Sequence, residues 1–273
     1  MDVYLVSHNG IGDNLYMIGA IHFIKQFYKN VYFLCRNRSC DIIKPFFIEN
    51  PNIICVSFNG DDEFNDIKKI IIDKYENNDV IICGFVHKSY LKSKITNHEF
   101  LNYKAIDKKY TIDYDTLTTE NYSFIEDFYK DMNLNLTYFY EYFYLPSNEL
   151  SKKLFDDVSK YYLIFIQNKC SYGISLNISK LIEKYTNYDN VLLLCTDENL
   201  YKKEDGKIEK YNLAQKFVLN GIICCVDTIK NSNEIYIIDS CFTGIVLPLL
   251  KLNKLKAKKV RIIKREEVDK HIF

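Results

Sequence analysis

Short apolar, β-rich runs alternate with amphipathic stretches through both halves of this 273-residue chain, and the first run leads straight into a glycine turn. These observations predict an α/β protein of two Rossmann-like domains facing each other across a cleft. Alternating strand and helix implies parallel sheets with crossover helices, whose ligands bind beyond the carboxyl ends of the strands. The length suits two domains of about 100–150 residues each. Pro146-Ser147-Asn148 marks the boundary, giving an N-terminal domain over 1–146 and a C-terminal domain over 147–273, with Ser147 capping the helix that opens the second.

In the first half, Val3 to Val6 is a strand and His8 to Asn14 a glycine turn, followed by an amphipathic helical run from Leu15 to Tyr28. Gly10 and Gly12 let a ligand approach the main chain, and Asp13 falls where a capping acid is favoured. Val31 to Cys35 is the second strand, and an apolar helical stretch runs on to Phe47. Ile53 to Val56 is the third strand, Asp61 to Tyr75 has helical periodicity, and Val80 to Cys83 is the fourth strand. From Lys88 to Tyr122 periodicity weakens, as in an irregular excursion over the sheet. Tyr122 to Met132 is helical, and the aromatic run Tyr138 to Tyr144 is expected to serve interdomain packing or an extended segment rather than a sugar platform.

The second half repeats the alternation. Strands are expected at Tyr162 to Gln167, Val191 to Cys195, Ile222 to Val226, Glu234 to Ile238 and Val260 to Ile263. Helices are expected at Ile178 to Tyr185, Leu213 to Leu219, Asp227 to Asn231 and Ser240 to Leu252.

Composition excludes several classes. Hydrophobic content of 48% with 26% charged residues rules out wholesale disorder. Lys and Arg total 36 against 36 Asp and Glu, so no overall field exists to hold nucleic acid or an anionic membrane. Positive charge is nearly all Lys; with Arg36, Arg38, Arg261 and Arg265 the only arginines, bidentate phosphate clamps are scarce. Nine cysteines with no CxxC pair and no zinc-like His spacing read as buried, reduced thiols, vicinal Cys224-Cys225 as strand packing, and no metal is expected. Met-Asp-Val-Tyr lacks the pattern of a signal peptide, and Asp239 breaks the one long apolar stretch. A cytoplasmic protein with no transmembrane segment is therefore expected.

Chemistry belongs at the strand ends. Four constellations stand there: the opening turn with His8 and Asp13; Asn168 to Gly173, with Lys169 and Ser171; Thr196 to Asn199, with Asp197; and Asp239-Ser240 before an apolar helix. A helix N-terminus at Ser240 offers N–H groups to a phosphate. Lys169 is a point charge for the same purpose, Asp197-Glu198 suits ribose hydroxyls, and His8 suits acceptor binding or proton transfer. Arg36 and Arg38 stand at the end of the second strand, as contacts for an anionic acceptor or merely as surface charges.

The opening His8-Asn9-Gly10-Ile11-Gly12-Asp13, with Ala20-Ile21 further along, resembles the start of the two-domain GT-B glycosyltransferases of the heptosyltransferase type. Glu234 to Phe242 resembles their second-domain strand ending in Asp-Ser/Thr. The chain is more similar still to a GT-B-like group, common in large DNA viruses and some bacteria, that opens with His-x-Gly-x-Gly-Asp. That group shares an acidic-aromatic helix like Phe124 to Tyr129 and a strand and turn like Leu163 to Gly173. The resemblance implies transfer of a sugar from a nucleotide-activated donor, bound by the C-terminal domain, to an acceptor hydroxyl of a glycan, lipid or protein on the N-terminal domain. No cofactor or obligatory metal is implied, and Asp13 matches the proposed base. Two positions differ: Thr243-Gly244 stands where heptosyltransferases carry a His, and Tyr172 where the viral and bacterial group tends to hold an Arg.

Two other functions fit the residues. A non-catalytic sugar- or nucleotide-binding relative would tolerate the missing His and Arg. A methyltransferase using S-adenosylmethionine would want a Gly at Asp13, an acid at Arg36 and a single seven-stranded sheet.

Overall fold

The computed structural model describes residues 1–6, 10–60, 62–71, 78–83 and 123–270. His8, Asn9, the residues from Gly84 to Lys88 and the excursion from Lys88 to Tyr122 lie outside the described residues. The chain divides into two compact units, Met1–Pro146 and Ser147–Phe273.

In the first unit β1 (Val3–Val6), β2 (Val31–Arg36), β3 (Ile53–Phe58) and β4 (Asp79–Ile82) form a parallel sheet in the order β3-β2-β1-β4. Central β1 is buried along its whole length, the pattern of a strand covered on both faces. Helices α1 (Ile11–Tyr16) and α2 (Ile18–Ile24) follow β1, α3 (Asn37–Ile43) follows β2 and α4 (Glu63–Ile71) follows β3. Tyr4, Val6, Leu34, Val80 and Ile82 pack with Ile67 and Ile71 of α4 on one face of the sheet. The unit closes with α5 (Ser123–Asp131) and α6 (Tyr138–Glu141).

Two expectations change here. The helical run after β1 starts at Ile11, inside the glycine turn, and is broken at Met17. The break has a visible cause: the buried Tyr129 hydroxyl accepts the Ala20 N–H at 3.2 Å and donates to the Tyr16 carbonyl at 3.0 Å, replacing the helical bond between them. The aromatic run, in turn, opens with a helical turn, Tyr138–Glu141, rather than forming an extended segment. Tyr138 stacks on Phe23 with centroids 4.2 Å apart, and Phe139 meets Tyr16 and Tyr129 edge-on.

In the second unit β5 (Tyr162–Gln167), β6 (Val191–Cys195), β7 (Glu234–Ile238) and β8 (Lys259–Ile263) are parallel in the order β6-β5-β7-β8. α7 (Glu149–Val158) leads into the sheet, and α8 (Ser179–Tyr185), α9 (Ile208–Leu219), α10 (Val226–Asn231) and α11 (Thr243–Lys251) connect its strands. The cap of α7 is Asn148, not Ser147; its Oδ1 accepts the Ser151 N–H at 2.8 Å. α9 begins at Ile208, five residues before the expected Leu213, because Lys210 sinks its stem and donates from Nζ to the Tyr188 carbonyl at 2.7 Å.

Ile222 to Cys225 is a 3-10 helix running into α10, not a strand, so Cys224 and Cys225 pack as helical residues. A short apolar run is equally consistent with a buried helix. Here Ser151 Oγ decides the matter by accepting the Asp227 N–H at 2.9 Å, which supports the start of α10. All nine cysteines are free. Among the described residues no helix is long and apolar enough to cross a membrane.

Candidate functional site

Each sheet reverses its strand order once, and the reversal opens a crevice at the strand ends. In the first unit the chain steps outward from β1 to β2 and β3, then returns to the far side of β1 as β4. The β1–α1 turn lies at that reversal. Asp13 is in the first turn of α1, and its Oδ2 accepts the Gly10 N–H at 3.1 Å. A Cβ on Gly10 would stand 2.4 Å from that oxygen, so the glycine is required for the acid to fold back. Gly12 sits within α1. Asp13 therefore braces the turn, and His8 lies outside the described residues.

At the end of β2, Arg36 lies along Gly60, whose φ of +87° suits glycine; an added Cβ there would meet the Arg36 side chain at 3.3 Å. Arg38 follows in α3.

In the second unit the reversal falls between β5 and β7. The turn after β5 is held by acids from the end of β6. Asp197 Oδ2 accepts the N–H groups of Asn168 and Lys169 at 3.1 and 3.0 Å. Glu198 accepts the Asn168 amide at 2.9 Å and pairs with Lys169 Nζ at 2.9 Å, and those two donors hold its carboxyl below the usual range. The turn then passes through Ser171–Gly173, a single 3-10 turn whose Gly173 takes φ +74°.

Across the crevice, Asp239-Ser240 follows β7. α11 begins at Thr243 rather than Ser240, because Thr243 Oγ1 takes the Ser240 N–H at 3.1 Å while the Thr243 N–H returns to the Ser240 carbonyl. The Gly244 N–H goes to the Cys241 carbonyl. Fewer N–H groups are thus offered to a phosphate here than a helix starting at Ser240 would supply.

Two residues not singled out in the sequence complete this crevice. Gln167, the last residue of β5, is 3% exposed; its Nε2 donates to Ser240 Oγ at 2.5 Å and to the Lys169 carbonyl at 2.9 Å, tying the two turns together. Its signal was a polar residue closing an otherwise apolar strand. Arg265, just past β8, donates from Nε to the Asp239 carbonyl at 2.8 Å and brings a guanidinium to this end of the sheet. Burial pushes the Cys195 and Cys241 thiols beside the crevice up to about 11, so they stay protonated and unreactive near neutral pH.

A cavity of about 740 Å³ is lined by Ile182 of α8, by Thr186 just after that helix, and by the segment from Glu198 to Lys202. It runs along the outer edge of β6, where the Tyr201 hydroxyl accepts the Leu193 N–H, and borders the crevice at Glu198. Among the described residues no group of three His, Cys, Asp or Glu is placed to hold a metal ion.

No protein-family profile and no curated protein matches the chain. Its architecture does match solved structures. The E. coli ADP-heptose lps heptosyltransferase II aligns with a TM-score of 0.56 at 10% identity, over 96% of this chain and 90% of its own. The fold is of the heptosyltransferase type. A glycosyl transferase of family 9 from Veillonella parvula aligns at 0.53 and 10% identity, over 100% of this chain and 90% of its own. E. coli heptosyltransferase WaaC with ADP aligns at 0.50 and 10% identity, over 97% and 91%. On this heptosyltransferase-type scaffold, the second-unit crevice brings together Asn168, Lys169, Asp197 and Glu198 on one side and Gln167, Asp239, Ser240 and Arg265 on the other.

Proposed function

We propose that this chain is a glycosyltransferase that moves a sugar from a nucleotide-activated donor to the hydroxyl of a glycan, lipid or protein acceptor. The donor binds the second unit and the acceptor the first. The observation that carries this reading is the β5–β7 crevice, where Gln167 joins the Asn168–Gly173 turn to Ser240 on a heptosyltransferase-type fold. Two separate parallel sheets also argue against a methyltransferase, which would use one larger sheet. Kinship with the viral and bacterial group rests on the opening His8 to Asp13 motif. Nine free thiols support a reducing, cytoplasmic setting.

In the proposed reaction the acceptor oxygen forms a bond to the anomeric carbon as the bond from that carbon to the diphosphate breaks. The acceptor proton passes to Asp13, and the nucleoside diphosphate leaves with the electron pair. Lys169, by exchanging Glu198 for phosphate, and Arg265 supply positive charge for the leaving group. The nucleotide sugar is a substrate, so no cofactor is needed.

A non-catalytic sugar- or nucleotide-binding protein is the second reading. It is favoured by two observations: the N–H groups of Ser240, Thr243 and Gly244 are spent internally, and Lys169 is paired with Glu198.

The deciding experiment is a thermal-shift screen of UDP-, GDP-, ADP- and CMP-linked sugars, followed by a transfer assay with the best binder. A ligand that binds only the native state raises the melting temperature with the logarithm of its excess. One nucleotide class is expected to do so, with turnover lost in Asp13→Asn. No shift with any of them would sink both readings, and binding without turnover would leave the second.

A further inference from the structure

Gln167 holds a second feature that its bridging role does not use. Both hydrogens of its Nε2 are committed, to Ser240 Oγ and to the Lys169 carbonyl. The carbonyl partner needs a donor, and this sets the orientation of the amide. Oε1 is buried and has no hydrogen-bond partner among the described residues. An amide oxygen in that state lacks the protein partner that most buried polar atoms have. It lies at the strand reversal of a parallel sheet, where ligands enter.

What such an oxygen accepts is limited by chemistry. Phosphate oxygens near neutral pH are acceptors, and two acceptors cannot satisfy each other. A hydroxyl or N–H group satisfies Oε1. Resting on the glycosyltransferase reading, we infer that Gln167 is a specificity-determining residue: its Oε1 accepts a hydrogen bond from a hydroxyl of the donor sugar, while the phosphates lie toward Lys169 and Arg265. The crevice thereby separates a sugar-reading side from a charge-reading side. A nucleoside diphosphate lacking the sugar leaves Oε1 unpaired, so the protein favours the loaded donor over the spent one.

The test is calorimetric titration of wild type and Gln167→Met with UDP-glucose, GDP-mannose and ADP-glucose, each beside UDP, GDP or ADP. In wild type the best nucleotide sugar is expected to bind about tenfold or more tightly than its own diphosphate. In Gln167→Met, which also cuts the tie between the two turns, the ratio of sugar to diphosphate affinity should fall to within about twofold. Equal weakening of sugar and diphosphate would overturn the inference and leave Gln167 a structural tie. Equal wild-type affinity for both would overturn it as well, with the glycosyltransferase reading still standing. Binding of neither ligand would reject that reading and the inference together.

Should Gln167→Met fail to fold, singly deoxygenated versions of the best sugar keep the question open to test in the wild-type protein. One of them should lose about tenfold. An unchanged affinity across the series would refute the assignment.

Discussion

The Tyr129 hydroxyl stands inside the backbone of the helical run that follows β1, accepting the Ala20 N–H at 3.2 Å. Its own proton goes to the Tyr16 carbonyl at 3.0 Å, so one phenol closes the gap between α1 and α2. Because Tyr129 is fully buried, no water is at hand to replace it. Tyr129→Phe is expected to destabilise the first unit by about 1–3 kcal/mol, the range for leaving a buried polar group unpaired. Urea denaturation checks this. A variant as stable as wild type would show that α1 and α2 can rejoin as one helix without the phenol.

Gly19 is a point of close approach between α2 and α6. A Cβ there would lie 2.4 Å from the Tyr138 carbonyl oxygen and 2.9 Å from Phe139 Cα, both backbone atoms that cannot swing aside. Gly19→Ala should therefore cost about 1–3 kcal/mol despite the better helix propensity of alanine. A rise in melting temperature for this variant would refute the close packing of α6 on α2.

Asp13 has a visible structural task, the bond from the Gly10 N–H, and a proposed chemical one. Asn retains an acceptor for that N–H but cannot take a proton near neutral pH. Asp13→Asn should keep the melting temperature and lose about 10²–10⁴-fold in turnover. Asp13→Ala should lose the same turnover and about 1 kcal/mol of stability besides. Full activity in the Asn variant would leave Asp13 a brace alone.

Glu234 at the start of β7 predicts a pH response. Its Oε1 accepts from Tyr162 and Tyr185 at 3.0 Å each, and its Oε2 from Tyr236 at 2.5 Å. Burial pushes the carboxyl up, but the three phenols and the Lys259 ammonium outweigh it and hold the group below the usual range. The native state then binds fewer protons than the unfolded chain. This stabilisation is complete above the unfolded carboxyl value of about 4.3 and is lost as pH falls through the lower native one. Burial and the same carboxylate push Tyr162 up to about 12, so its share is complete below about 10 and is lost as pH rises through 12. Glu234→Gln should flatten the acid limb of a stability–pH curve measured by chemical denaturation. An unchanged acid limb would show that other groups govern it.

Much of the scaffold was legible along the chain because it rests on local physics. Val3 to Val6, Val191 to Cys195 and Ile235 to Ile238 are unbroken apolar runs, as strands buried on both faces must be. Turn chemistry marked the strand ends that carry Asp13, Asn168 to Gly173 and Asp239-Ser240. Tertiary structure decided the rest, since the deciding bonds join residues far apart in sequence. Met17 breaks a helix because of a phenol more than a hundred positions away, and Ile222 to Cys225 turns helical where Ser151 supports the next helix. Alternation of strand and helix implies parallel pairing but not on which side of β5 the later strands settle. The order β6-β5-β7-β8 is what puts Gln167 beside Ser240, and with them the crevice that a ligand would enter.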